Sequence, residues 1–377
     1  MKTYFTASSF EKSIMNLNQQ TPYFHARSGP DNYIQGSGVL QLLPEYEAKY
    51  KHAAVVTGEN SFHAFRAAGG DLRTSSIHRY DGTVSLLDIE RLSNDITRAD
   101  LVIAIGGGRV CDTAKSVAAR LHSDLITVPT IAATCAAYSS HTVLYDEHHV
   151  KSGFEQHDRS PLVTLVDTAL LNHAPVRYLL SGIGDSLAKW YEAESIMRGQ
   201  DDVRPTEGYG LAAAQEVRDV LVKDAVPAIE ANRRQTETAA FSNIIEAIFP
   251  LSGSVGGFAD KKGRSSGAHA IANALTSLPN SDVTLHGEKV AYGILVLLDV
   301  LHQDDEVQAL REWYTTIGLP VSLDSLELHP DSRQLEQVAE TAASNQENFV
   351  LAVPDITAQQ IISSINRIER FSTEGNQ

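Results

Sequence analysis

Four short runs constrain this chain more than anything else in it: Ala53-Ala-Val-Val-Thr57, Leu101-Val-Ile-Ala-Ile105, Leu125-Ile-Thr-Val128 and Leu162-Val-Thr-Leu-Val166. Each is almost wholly apolar, rich in β-branched residues and bounded by Gly, Pro or Asp. None alternates as a strand with one wet face would. Strands of this kind must be covered on both faces, which points to a parallel sheet. Helical patterns such as Asp112 to Leu121 lie between them, so the first 170 residues predict an α/β, Rossmann-like architecture. Thr142 to Phe154 reads as a β-hairpin whose polar turn holds His148 and His149 as solvated residues. Past about residue 170 the strand signal fades. Segments with a 3.6-residue period follow at 184–197, 206–222, 236–251, 267–278, 287–300 and 334–342, and they predict an all-α second part. The expected division is 1–170 and 171–377, with the border near Asp167 to Ala174.

Length supports that division, since 377 residues suit about two domains at roughly 150 residues each. The 31 basic and 47 acidic residues give a net charge of −16, which argues against a nucleic-acid partner held through phosphates. Cys111 and Cys135 have neither disulfide-framework nor zinc-ribbon spacing and suit a reducing compartment. No apolar run reaches the roughly 18 residues of a membrane span. Met1 to Gln20 has no signal-peptide core, so a soluble cytoplasmic protein is expected.

Chemistry is first suggested by Ile105-Gly-Gly-Gly-Arg-Val-Cys-Asp112. Three glycines between an apolar strand and a helix let the backbone approach a pyrophosphate, with the helix N–H groups as donors. The pattern is not G-x-G-x-x-G, and a tight strand-to-helix turn remains open as a reading. Asp112 could cap that helix or bond a cofactor group. The small, hydroxyl-rich loop Pro129 to Ser140 suits a flat, partly polar ligand, or is an ordinary polar loop. In the helical part, Asp185 lies on a mostly apolar face, and His269 and His286 stand near helix starts. One Asp and two His with an open position make a plausible Zn²⁺ or Fe²⁺ site. Long-range spacing of this kind has no fixed pattern, so on chemistry alone the three also read as core or capping residues.

Taken together, these segments resemble the iron-containing alcohol dehydrogenase superfamily, and within it the glycerol-dehydrogenase-like branch. The resemblance runs from Gly29 to the C-terminal helices and is carried by Gly106-Gly-Gly-Arg-Val-Cys-Asp-Thr-Ala-Lys115, Val128-Pro-Thr-Ile-Ala-Ala-Thr134, Gly182-Ile-Gly-Asp-Ser-Leu-Ala-Lys-Trp-Tyr-Glu-Ala193, Ala268-His-Ala-Ile271 and Leu285-His-Gly287. It implies a dehydroquinate-synthase-like fold with the cofactor and substrate between a dinucleotide-binding first part and a metal- and substrate-binding second part. It implies that Asp185, His269 and His286 hold Zn²⁺ or Fe²⁺. It also implies that Gly106, Gly107, Gly108, Arg109, Asp112, Thr130, Ala133, Ser139, His141 and Tyr145 surround NAD or NADP. Relatives often form closed oligomers, so a homo-oligomer is expected.

Several positions depart from the family pattern. Cys135 stands where glycerol dehydrogenases usually carry an Asp that holds polyol hydroxyls, and a thiol accepts hydrogen bonds poorly. Thr134-Cys-Ala-Ala137 and Ala188-Lys-Trp-Tyr191 look instead like the 2-hydroxycarboxylate dehydrogenase subgroup, which reduces 2-oxo acids. Lys189, four residues after Asp185 on the same helix face, is the expected cation for a substrate carboxylate. A plain ion pair or a surface lysine is the competing reading, and Arg264 and Lys262 are lesser candidates. Ala272 replaces a second histidine, which moves proton relay to ribose hydroxyls and water. Gly58, followed by Glu59, fills the place of an Asp that bonds the adenosine ribose, leaving NAD and NADP both open. The reading is a metal-dependent NAD(P)-linked oxidoreductase of a small 2-oxo acid or ketone. The alternatives are a glycerol dehydrogenase, a dehydroquinate-synthase-type enzyme and a non-catalytic nucleotide-binding relative.

Overall fold

The computed structural model of the chain describes residues 25–73, 75–147 and 150–374; Met1 to Gln20, His148 and His149 lie outside them. A six-stranded sheet is built from β1 (Asn32–Gly36), β2 (Ala53–Thr57), β3 (Ser76–Arg79), β4 (Leu101–Gly106), β5 (Asp124–Pro129) and β8 (Val163–Asp167). Its order is β1-β8-β5-β4-β2-β3, and its pairings are parallel. The four runs that dominate the sequence are its four inner strands. β6 (His141–Tyr145) and β7 (Lys151–Gln156) form a separate antiparallel pair.

Sequence reasoning missed both edge strands. β1, Asn-Tyr-Ile-Gln-Gly, pairs only with β8, and β3, Ser-Ile-His-Arg, pairs only with β2. An edge strand has one neighbour and needs no apolar run, so neither carries the signal that reveals the inner strands.

Helices α1 (Glu59–Ala67), α2 (Leu86–Asp95) and α3 (Gly108–Leu121) connect the strands. After β8 come α4 (Val176–Met197), α5 (Pro205–Arg233), α6 (Ala239–Glu246), α7 (Ser252–Ala259), α8 (Gly267–Leu275), α9 (His286–Val300), α10 (Asp304–Ile317), α11 (Ser332–Ala342) and α12 (Ala358–Glu374). Pro250 lacks an N–H, and the ladder between α6 and α7 opens there into a π turn over Ala247–Leu251. Among the described residues, no helix is long and apolar enough to cross a membrane.

Helix α4 begins eight residues before Gly184, where periodicity alone started it. Gly182 and Gly184 are interior residues of α4 that let backbones touch. A Cβ on Gly182 would overlap the Ala132 carbonyl, one on Gly184 the Gly287 carbonyl, and one on Gly287 the Ser181 carbonyl. A Cβ on Gly293 of α9 would overlap the Ala268 carbonyl of α8. Three helices and the 130–134 loop are thereby drawn to one point.

Candidate active site

Asp185 follows Gly184, His286 precedes Gly287, and His269 follows Ala268, so each of the three stands one residue from a backbone contact. Their ligand atoms lie within 4.8 Å of one another, with His269 Nε2 at 3.3 Å and His286 Nε2 at 3.6 Å from Asp185 Oδ1. Glu192, on the same face of α4 two turns after Asp185, holds the assembly from behind. Its carboxylate accepts the backbone N–H of Ser266 at 2.6 Å and of His269 at 2.9 Å, and its Oε2 lies 2.7 Å from His269 Nδ1. With Nδ1 so engaged, Nε2 is aimed at Asp185. Sequence reasoning gave Glu192 no role, although its i, i+7 relation to Asp185 was a usable signal.

The electrostatics suit a cation. Burial opposes charge on Asp185, but His269, His286 and Lys189 bring its carboxyl down to about 2. Burial likewise opposes charge on His269, yet Glu192 outweighs Lys189 and the pair of carboxylates holds it up at about 9. Burial pushes His286 down to about 4, leaving it neutral. Asp185, His269 and His286 could hold Zn²⁺ or Fe²⁺, with Glu192 supplying the carboxylate–histidine support common behind metal ligands.

Lys189 is 7% exposed, so it is not a surface lysine. Its Nζ donates to the Arg264 carbonyl at 2.8 Å, and no carboxylate lies within ion-pair distance among the described residues. Its charge is felt at Asp185, Glu192, His269, His286, Cys135 and His141. The Cys135 thiol lies close to this group; burial raises its pKa, Lys189 opposes and Asp185 adds to the rise. Arg264 is ion-paired with Asp260 and lines a small cleft with Tyr138, Ser139, Ser140 and His141. Lys262 is turned away, its Nζ bound to Gln200 at 3.0 Å and Glu207 at 3.3 Å. Ala272 is fully buried in the core.

The glycine run sits at the carboxyl end of β4 and opens α3, whose start has no side-chain cap and no acidic residue in its first turn. The glycines' lack of Cβ atoms serves packing: a Cβ on Gly107 would lie 2.6 Å from Ile131 Cδ1, and one on Gly108 2.8 Å from Thr134 Oγ1. The two loops therefore lie against each other, with the uncapped helix start beside them. That start fits the pyrophosphate of a dinucleotide.

The other expected cofactor residues fall in two groups. Arg109 lies over the Tyr145 ring at 5.9 Å, and the His141 ring stacks on Phe154 at 5.2 Å. Burial, then Lys115, Arg264 and Lys189, hold His141 well below its usual pKa, so it stays neutral. Thr130, Ala133 and Ser139 are buried, Thr130 donating its N–H to the Gly106 carbonyl. Asp112 does not cap α3. Its carboxylate pairs with Lys115 at 2.7 Å and accepts the Val143 N–H at 3.1 Å, fastening β6 to the helix. Lys115 also donates to the carbonyls of Ala136 and His141. Gly58 and Glu59 stand at the tip of β2, one strand over from the glycine run.

The profile of the family described as iron-containing alcohol dehydrogenase matches residues 30–168. Hydroxycarboxylate dehydrogenase A of Escherichia coli K12 is 32% identical over 350 residues, which cover 91% of this chain and 97% of that protein. A glycerol dehydrogenase of Thermotoga maritima is also 32% identical, over 362 residues covering 91% and 96%. The crystal structure of a probable glycerol dehydrogenase from Sinorhizobium meliloti 1021 superimposes with a TM-score of 0.84 at 34% identity, covering 93% of this chain and 99% of that one.

Proposed function

The chain belongs to the iron-containing alcohol dehydrogenase family, and from that premise we propose that it interconverts a small 2-oxo acid and the matching 2-hydroxy acid. Dehydrogenases of this family use NAD(P) and a divalent metal. Residues 1–170 would carry the dinucleotide, and 171–377 the metal and the substrate. The observation that carries the substrate class is Lys189, a buried ammonium beside the Asp185, His269 and His286 cluster with no carboxylate within ion-pair distance among the described residues. A buried cation is costly unless paired, and a substrate carboxylate would supply the direct ion pair that Asp185 and Glu192, felt only at longer range, do not. Cys135, a neutral thiol in the same place, brings no negative charge to repel that carboxylate.

A Zn²⁺ or Fe²⁺ held by Asp185, His269 and His286 would polarise the carbonyl as a Lewis acid, and the reduced nicotinamide would supply the hydride. The chain's part is positional. Glu192 fixes the His269 ring, Lys189 orients the carboxylate, and the small Ala132 to Ala137 loop leaves room for a planar oxo acid. Tyr138, just past that loop, is held firmly. Its ring is gripped between Gly29 and Gly253, where any Cβ would overlap it, and its hydroxyl donates to the Ser28 carbonyl at 2.8 Å.

The test is oxidation of NADH and of NADPH, measured separately, against pyruvate, 2-oxobutanoate, 2-oxoglutarate, dihydroxyacetone and simple aldehydes after loading with Zn²⁺ or Fe²⁺. Turnover confined to 2-oxo acids is expected. Lys189→Met should raise KM for them about 10- to 100-fold, the worth of a charge-assisted hydrogen bond, without raising that for an aldehyde. Preference for dihydroxyacetone would make the chain a glycerol dehydrogenase, the activity in the name of its Thermotoga maritima relative.

A further inference from the structure

Strand register carries the next step. Thr57 at the end of β2 pairs with Ile105 on one side and with Arg79 at the end of β3 on the other. Gly58 therefore stands beside the glycine run, one strand over, with Arg79 on its far side. In a doubly wound sheet the adenosine ribose lies at the tip of the strand next to the pyrophosphate loop. There a carboxylate bonds the 2′-hydroxyl of NAD, or an arginine accommodates the 2′-phosphate of NADP.

Gly58 offers no carboxylate and has little room for one, because a Cβ there would lie 3.0 Å from Tyr80 Cε1 and 3.3 Å from Ser61 Oγ. Arg79 is held ready in its place. Its Nη1 donates to the Gly58 carbonyl at 3.0 Å, and its guanidinium lies 4.6 Å from the centre of the Phe62 ring. The Arg91 guanidinium donates to the Arg79 carbonyl at 2.8 Å and fixes the strand end. Glu59 Oε2 is 3.3 Å from Arg79 Nε, but the two side chains are 86% and 37% exposed. An ion pair that open is worth little and yields readily to a doubly charged phosphate.

We propose that Arg79, beside Gly58 and against Phe62, forms a subsite for the 2′-phosphate of NADP(H) and makes this chain selective for NADPH. The proposal rests on the cofactor part of the functional reading, with the pyrophosphate at the start of α3. It is independent of which carbonyl compound is reduced. Planar arginine matches a phosphate with two parallel donors, which a lysine or a bare helix start does not.

Binding tests it without turnover. NADPH and NADH are titrated by nicotinamide fluorescence, and 2′,5′-ADP and 5′-ADP by calorimetry, against the wild type, Arg79→Ala, Arg79→Gln and Glu59→Gln. Thermal melts check that each variant is folded, and the Gln variant keeps the test alive if Ala disturbs the strand end. NADPH is expected to bind at least about 10-fold more tightly than NADH, and either Arg79 variant should weaken NADPH and 2′,5′-ADP about 10- to 100-fold. NADH and 5′-ADP should change less than about threefold, and Glu59→Gln should tighten NADPH by removing a like charge. Equal affinity for the two nucleotides, or losses shared equally by both, overturns the proposal. Binding of neither nucleotide overturns the cofactor reading and this one with it, whereas loss of activity on every 2-oxo acid with NADPH binding intact overturns only the substrate reading.

Discussion

Glu192 decides which way the His269 ring faces, because it takes both the Nδ1 side of the imidazole and the backbone N–H behind it. Replacing its carboxylate by an amide keeps the shape and removes the charge. Glu192→Gln should therefore lower affinity for Zn²⁺ about 10- to 100-fold, as loss of such outer partners does, with the circular dichroism spectrum unchanged. Competition with a chromophoric chelator reads this directly, and unchanged affinity would count against the metal centre. His269→Ala and His286→Ala go further: each should abolish reduction while NADPH still binds, and activity surviving in both would end the assignment. Chemistry alone left Asp185, His269 and His286 open as metal ligands or as core residues and the resemblance singled them out, since 17 residues separate His269 from His286 and 84 separate Asp185 from His269. Glu192 and Arg79 escaped for the same reason. Their partners lie far along the chain or across a strand that carries no apolar signal.

Helix α4 works as an element because two glycines let it touch its neighbours through backbone. Gly287 lies against the Ser181 carbonyl, with its own N–H accepted by Ser181 Oγ at 3.1 Å. Gly287→Ala forces α9 away from α4 and carries His286 with it. The expected result is a loss of about 1–3 kcal/mol in unfolding free energy, together with weaker metal binding. Gly208 in α5 supplies the opposite case, since a Cβ there meets nothing within 4 Å. Gly208→Ala should stabilise the protein by about 0.5–1 kcal/mol and leave the site untouched. Denaturant melts of both variants check the pair; similar effects from the two would mean that close approach of α4 and α9 does not set the geometry. Glycine's two roles look identical in sequence. That is why periodicity begins α4 at Gly184 when its first turn is at Val176.

At the scale of the whole molecule, the inner strands and the change from sheet to helices were legible because burial on both faces leaves a compositional mark. The edge strands and the fastening of the β6–β7 hairpin to α3 were not, because an edge strand needs no apolar run and the hairpin is held by polar contacts. His157 is one such fastening. It follows β7, donates its N–H to the Ser140 carbonyl at 3.0 Å, and sets its Nε2 2.9 Å from the Thr142 hydroxyl, which in turn donates to the Asp112 carbonyl of α3. The residue is 8% exposed, and burial, then the charges of Lys115, Arg120 and Arg27, push its pKa down from 6.5 to about 4. The native molecule thus keeps His157 neutral where the unfolded chain has already taken up a proton. Its contribution to stability is fully present above pH 6.5 and is lost as pH falls toward 4, with a slope reaching about 1.4 kcal/mol per pH unit. His157→Gln cannot titrate there. Denaturant unfolding of wild type and variant from pH 8 to pH 5 should show the wild type losing about 2 kcal/mol more than the variant over that span. A difference that stays flat with pH would mean that the imidazole is hydrated in solution and that the hairpin is held to α3 by Asp112 and Lys115 alone.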